Sequence, residues 1–113
     1  MSDAVTLAQA QLDAYNRADL DAFCACYADN VRVWFGQELD IEGIADFRSR
    51  YVDKFARGGF GATVPNRLSH GDHCVDEEHY WSIDPETGAR SEGVILVRYQ
   101  VADGKIALVQ FLD

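Results

Sequence analysis

A chain of 113 residues with a formal net charge of −9 is near the commonest size for one domain, and dividing it would leave both halves short of core. Hydrophobic residues at 48% and charged residues at 26% suit a globular chain and exclude intrinsic disorder. The acidic balance repels phosphate backbones and anionic lipid, so neither nucleic acid nor a membrane surface is an expected partner.

From Asp3 to Arg17, Val5, Ala8, Leu12 and Tyr15 form one apolar stripe, which predicts an amphipathic helix. Asp19 is a natural N-cap for a second helix, in which Leu20, Phe23, Cys24 and Tyr27 repeat on one face and which is expected to end near Asp29. Val31, Val33 and Phe35 then alternate with Arg32 and Trp34, the period of a strand with one buried face. After Gly43 the period is helical again. Ile44, Phe47, Tyr51 and Phe55 share a face, Asp46, Arg48, Asp53 and Lys54 are assigned to the opposite one, and Arg57-Gly58-Gly59 closes the helix.

The second half predicts four strands. Gly71-Asp72 separates the first pair, Asp84 to Gly88 the next, and Asp103-Gly104 is a type I′ hairpin signal. With that loop, Tyr99 should face Leu108, Val97 should face Gln110 and Ile95 should face Leu112. Helices followed by a strand meander indicate an α+β domain whose curved sheet carries the helices on its concave side. Such a sheet leaves a pocket beneath the helices and an outer face free to pair with a second copy.

The run Leu12-Asp13-Ala14-Tyr15-Asn16-Arg17-Ala18-Asp19-Leu20-Asp21-Ala22-Phe23, then Tyr27-Ala28-Asp29-Asn30-Val31, resembles the opening of the nuclear-transport-factor-2-like superfamily. Gly43-Ile44 with Phe47, Tyr51 and Phe55, and Asp103-Gly104-Lys105-Ile106, extend the likeness to the SnoaL-like and ketosteroid-isomerase-like branch over residues 1–113. The resemblance implies a cystatin-like conical barrel, with three helices packed on a curved antiparallel sheet, usually a homodimer and often with a ligand pocket. It implies no single chemistry, since that branch hosts isomerases, dehydratases, cyclases, binding proteins and adaptors. The isomerase positions correspond to Gln11, Phe35, and Leu96 or Val97. Such an enzyme needs a base and two acidic donors, so ketosteroid isomerisation is not expected.

Pairing across Gly71-Asp72 sets Arg67 opposite Asp76, with Glu78 diagonal on the same side. Facing the cone, Asp76 or Glu78 would act as a general acid or base oriented by Arg67; facing water, the three would be a solvated ion cluster. His70 and His73 flank the same turn, with His79, Asp72 or Cys74 as a conceivable third donor, but no recognised metal spacing follows and neither metal nor cofactor is expected. The residues expected to meet a small apolar or aromatic ligand are Gln11, Tyr15, Phe35, Tyr51, Val97, Tyr99 and Gln110, with Gln110 either satisfied by a neighbour or open to the ligand. Trp34, Tyr51, Tyr80 and Trp81 would line a pocket or fill a dimer interface.

Cys24, Cys26 and Cys74 are an odd set, read as reduced thiols. No run approaches the roughly 18 apolar residues of a spanning helix, and no basic stretch precedes an apolar one at the start, so the cytoplasm is the expected location. The functional expectation is a dimeric small-molecule-binding domain. As an enzyme it would carry out proton transfer, isomerisation or dehydration on a carbonyl compound; the alternative is a non-catalytic binding or dimerisation module.

Overall fold

The structure is a computed structural model and describes residues 3–112. Three helices, α1 (Asp3–Asn16), α2 (Leu20–Ala25) and α3 (Ile44–Arg57), lie on one face of a sheet built from β1 (Tyr27–Phe35), β2 (Glu38–Glu42), β3 (Phe60–His70), β4 (His73–Ile83), β5 (Arg90–Ala102) and β6 (Lys105–Phe111). The strand order is β2-β1-β6-β5-β4-β3. The expected α+β cone is present as an open, wrapped sheet with β2 and β3 at its edges, and it is mixed, because β1 runs parallel to β6.

Local signals place most elements. Asp19 caps α2, its carboxylate accepting a hydrogen bond from the Ala22 amide at 3.1 Å, which satisfies one of the free N–H groups of the first turn. Arg57 and Gly58 end α3 as expected, with Gly58 donating back to the Lys54 carbonyl. Asp103 and Gly104 both adopt positive φ, as a type I′ turn requires.

Four expectations are corrected. Helix α2 stops at Ala25, and Tyr27 already pairs with Ile106, whose amide donates to the Cys26 carbonyl; the spacing of Phe23 and Tyr27 suits either element. Strand β2 was not expected: Leu39 and Ile41 alternate with carboxylates, and pairing with β1 draws Ile41 into the core. The sheet is not wholly antiparallel. The last hairpin begins in the expected register, with Ala102 facing Lys105 and Val101 facing Ile106, then slips by one residue between Val101 and Gln100, so Gln100 meets Leu108, Tyr99 meets Val109, Arg98 meets Gln110 and Val97 meets Phe111. A one-residue slip exchanges the faces of the strand.

An aromatic cluster joins the helices to the sheet. The Phe23 ring lies 5.1–5.9 Å from those of Tyr15, Tyr27, Phe47, Tyr51 and Phe55, the spacing at which aromatic pairs attract beyond their buried area. At the end of α1 the Asn16 amide clamps the edge strand, donating to the Ala62 carbonyl at 2.9 Å and accepting from its N–H at 2.8 Å. Pro65 lies where the β3–β4 register breaks, a position on an edge strand that tolerates its missing N–H. Among the described residues no helix is long and apolar enough to cross a membrane.

Candidate functional site

Between the concave face and the helices lies a cavity of about 230 Å³. Strand parity selects its walls: Val33 and Phe35 of β1, Glu78 and Tyr80 of β4, Ile95 and Tyr99 of β5, and Val109 and Phe111 of β6 all project to this side. Helix α1 adds Gln11 and Tyr15, and α3 adds Phe47, Tyr51 and Lys54. A dry cavity of about 150 Å³ accepts benzene, so this one has room for one or two fused rings.

The cluster of Arg67, Asp76 and Glu78 faces the cone, but its members part company. Asp76 is 1% exposed and held by Arg67, whose Nε and Nη2 donate to its two carboxylate oxygens at 2.7 and 3.0 Å. The Cys74 thiol donates to the same carboxylate at 3.4 Å, and Arg67 Nη1 reaches Gln9 Oε1 of α1 at 2.9 Å. Burial first, and then the Asp76 charge, push the Cys74 thiol up to about 12, so it stays protonated. Asp76 is thus fully engaged beneath the pocket and is not part of its lining.

Glu78, two residues on and about 7 Å along the strand, lines the cavity, and its carboxyl makes no hydrogen bond or ion pair with any described residue. Burial raises its pKa, the Asp76 carboxylate raises it further, and Lys54 opposes both. A carboxyl in that setting holds its proton closer to neutral pH than a solvated one, which is the condition for exchanging protons with a bound molecule.

Five tyrosines, Tyr15, Tyr27, Tyr51, Tyr80 and Tyr99, line the same space. Burial, reinforced by the Glu78 charge, pushes Tyr51 up to about 12 and Tyr15 and Tyr99 higher, so all three are hydrogen-bond donors and none is a base. Gln11 lines the wall but is already engaged, accepting from the Tyr27 hydroxyl at 3.0 Å and donating to the Ala8 carbonyl at 3.0 Å. Lys54, which sequence reasoning assigned to the solvent face, instead borders the cavity with its ammonium 5.1 Å from the ring centres of both Tyr15 and Phe60. Its spacing of seven from Phe47 and three from Tyr51 carried that signal, and its charge masked it.

Of the other residues singled out, Phe35 sits at the mouth, 54% exposed. Val97 is fully buried behind the wall. The slipped register puts Gln110 on the outer face, where it accepts from Arg98 Nε at 3.1 Å and donates to the Gly36 carbonyl at 2.8 Å; it is satisfied by neighbours, and they are not Tyr15 or Tyr99. Tyr80 lines the cavity with Tyr51, while Trp34 and Trp81 fall on the opposite parity. His70 faces His73 across the turn, but among the described residues no three His, Cys, Asp or Glu side chains converge on a common point. Val33, Ile95, Val109 and Phe111 complete the apolar wall without having been singled out; their only sequence signal was parity.

A family model described as the SnoaL-like domain matches residues 8–109. No curated protein matches the chain in sequence. Among solved structures, an uncharacterised cystatin-fold protein from Novosphingobium aromaticivorans is 22% identical with a TM-score of 0.85, covering 100% of this chain and 99% of its own. A protein of Mycobacterium tuberculosis in complex with estradiol-17beta-hemisuccinate is 18% identical with a TM-score of 0.85, over 98% and 93%. A putative SnoaL-like polyketide cyclase from Jannaschia is 18% identical with a TM-score of 0.80, over 96% and 83%.

Proposed function

The chain belongs to the SnoaL-like domain family, and on that premise we propose that it binds a small carbonyl compound in its cavity and moves a proton on it with Glu78. The observation that carries this reading is a cavity-lining carboxyl without a hydrogen-bond or ion-pair partner among the described residues, its proton affinity raised by burial and by Asp76 and opposed by Lys54. Glu78 takes the proton from the carbon next to the carbonyl, and a neutral phenol, Tyr51 or Tyr99, donates to the oxygen where charge develops. Asp76 and Arg67 support Glu78 from below. Their ion pair keeps a carboxylate beside it at fixed distance, and Arg67 orients Asp76, not Glu78.

The mycobacterial neighbour is in complex with estradiol-17beta-hemisuccinate; the cavity of about 230 Å³ here favours a mono- or bicyclic ligand. The test is hydrogen–deuterium exchange at the α-carbon of 2-tetralone in D₂O, followed by NMR. Exchange above the buffer rate that falls at least about 100-fold in Glu78→Gln supports the reading. Equal exchange by wild type and variant sinks it.

A second reading, ligand binding without catalysis, draws on Gln11, Phe35, and Leu96 or Val97 standing where the isomerase branch carries its reactive groups. Tetralone bound but never exchanged is its signature. For assembly, Val94, Leu96 and Leu112 are 58%, 41% and 41% exposed on the outer face, where we place a homodimer contact; Leu96→Arg should then leave a monomer by light scattering. The three thiols are buried and unbridged, consistent with the reducing cytoplasm as its location.

A further inference from the structure

Lys54 is a cavity-lining cation that the acid–base reading leaves without a task. Its stem crosses apolar wall and its ammonium rests over the faces of Tyr15 and Phe60. It makes no ion pair with any described residue, although Glu78 lines the same cavity. A lysine held for its charge alone would be expected to sit against a carboxylate, as Arg48, Arg50 and Arg67 do here. An amine that lines the same cavity as a carboxyl of raised proton affinity is instead an arrangement suited to attack on a carbonyl carbon.

We propose that Lys54 captures an aldehyde or ketone substrate as a Schiff base, with Glu78 supplying and removing the protons. The neutral amine adds through its lone pair to the carbonyl carbon, and the C=O π pair moves to oxygen. One proton passes from nitrogen to that oxygen, giving a carbinolamine. Glu78, protonated, then gives its proton to the hydroxyl, the C–O bond breaks and water leaves. The nitrogen lone pair closes the C=N bond, leaving a protonated imine and the Glu78 carboxylate. In balance, amine, carbonyl and the Glu78 proton become iminium, water and carboxylate.

The carboxylate so formed is placed to take the α-proton, which the iminium has made more acidic, and its return to either carbon completes an exchange or isomerisation. Hydrolysis of the imine releases the product and restores the amine. Supply of neutral amine is assisted by the surroundings: burial lowers the Lys54 pKa, Arg57 on the same helix lowers it too, and Glu78 opposes them. The flanking Tyr15 and Tyr51 remain neutral.

This proposal rests on the carbonyl-binding reading of the cavity, and the chain makes the two separable because it has only two lysines, Lys54 and Lys105. Lys105 lies at the β5–β6 turn, its ammonium donating to the Ala25 carbonyl at 2.6 Å, and serves as an internal control. Wild type, Lys54→Arg and Lys54→Met are incubated with 2-tetralone and cyanoborohydride at neutral pH, and the adduct is located by peptide mass. Ketone binding is followed separately by intrinsic fluorescence, with folding checked by circular dichroism. One reduced adduct on Lys54, lost in both variants while the ketone still binds, supports the proposal. An adduct shared equally between Lys54 and Lys105 overturns it, as does α-proton exchange in folded Lys54→Arg at the wild-type rate; the acid–base role of Glu78 survives either result. Absence of both binding and exchange in wild type overturns the cavity reading and the proposal with it.

Discussion

Replacing Arg67 by Met should destabilise the protein far more than loss of a surface ion pair would. The Asp76 carboxylate is 1% exposed and the Arg67 side chain 19%, and Arg67 supplies two charge-assisted hydrogen bonds; once it is removed, the Cys74 thiol is the one partner left among the described residues. Stranding a buried charge costs about 3–5 kcal/mol, against about 0–1 kcal/mol for an exposed pair. For a chain of this length, each kcal/mol lowers Tm by roughly 4 °C, so the variant should melt about 12–20 °C lower. Urea denaturation gives the same quantity at 25 °C, provided the slope m is unchanged. The double variant Arg67→Met with Asp76→Leu removes the stranded charge and should recover to within about 1–2 kcal/mol of wild type, because an apolar pair of similar size replaces a buried ion pair at little cost. A single-variant loss below about 1 kcal/mol, or a double variant less stable than the single, would refute the reasoning.

Glu78→Gln should be more stable than wild type at pH 8, with the difference shrinking as pH falls. The folded-state pKa of Glu78 is raised, so wild type keeps its full stability below the unfolded value of about 4.3 and loses some as pH rises through the folded pKa; a stability gap that does not change between pH 4 and pH 8 contradicts the burial assigned to it. Asn16→Ala frees the Ala62 N–H and C=O at the edge of β3 and should cost about 1–3 kcal/mol in urea, with faster amide exchange at Ala62. Ala18 adopts φ 54 at the end of α1, where a β-carbon is unfavourable, so Ala18→Gly should stabilise by about 1 kcal/mol; destabilisation would mean that the alanine methyl contributes packing.

Sequence alone determined what short-range physics decides. The helix stripes, the Asp19 cap, the glycines after Arg57 and the Asp103-Gly104 turn all involve partners within about four residues, and the Arg67–Asp76 pairing follows from a two-residue turn close by. What lay beyond it was set across the sheet. Strand β2 exists because the β1 edge is there to receive it, β1 runs parallel to β6 because two distant segments meet, and one slip after Gln100 turns Gln110 away from the cavity it was expected to enter. Lys54 was misplaced because charge argues for water, while the space beneath α3 admits its stem over two rings. Glu77 and Glu78 show the division most sharply, being adjacent residues of one chemistry: Glu77 pairs with His79 on the outer face, and Glu78 stands in the cavity without a partner among the described residues. Alternation along a strand separates the two, but only the wrapping of the sheet under the helices decides which side is the inside.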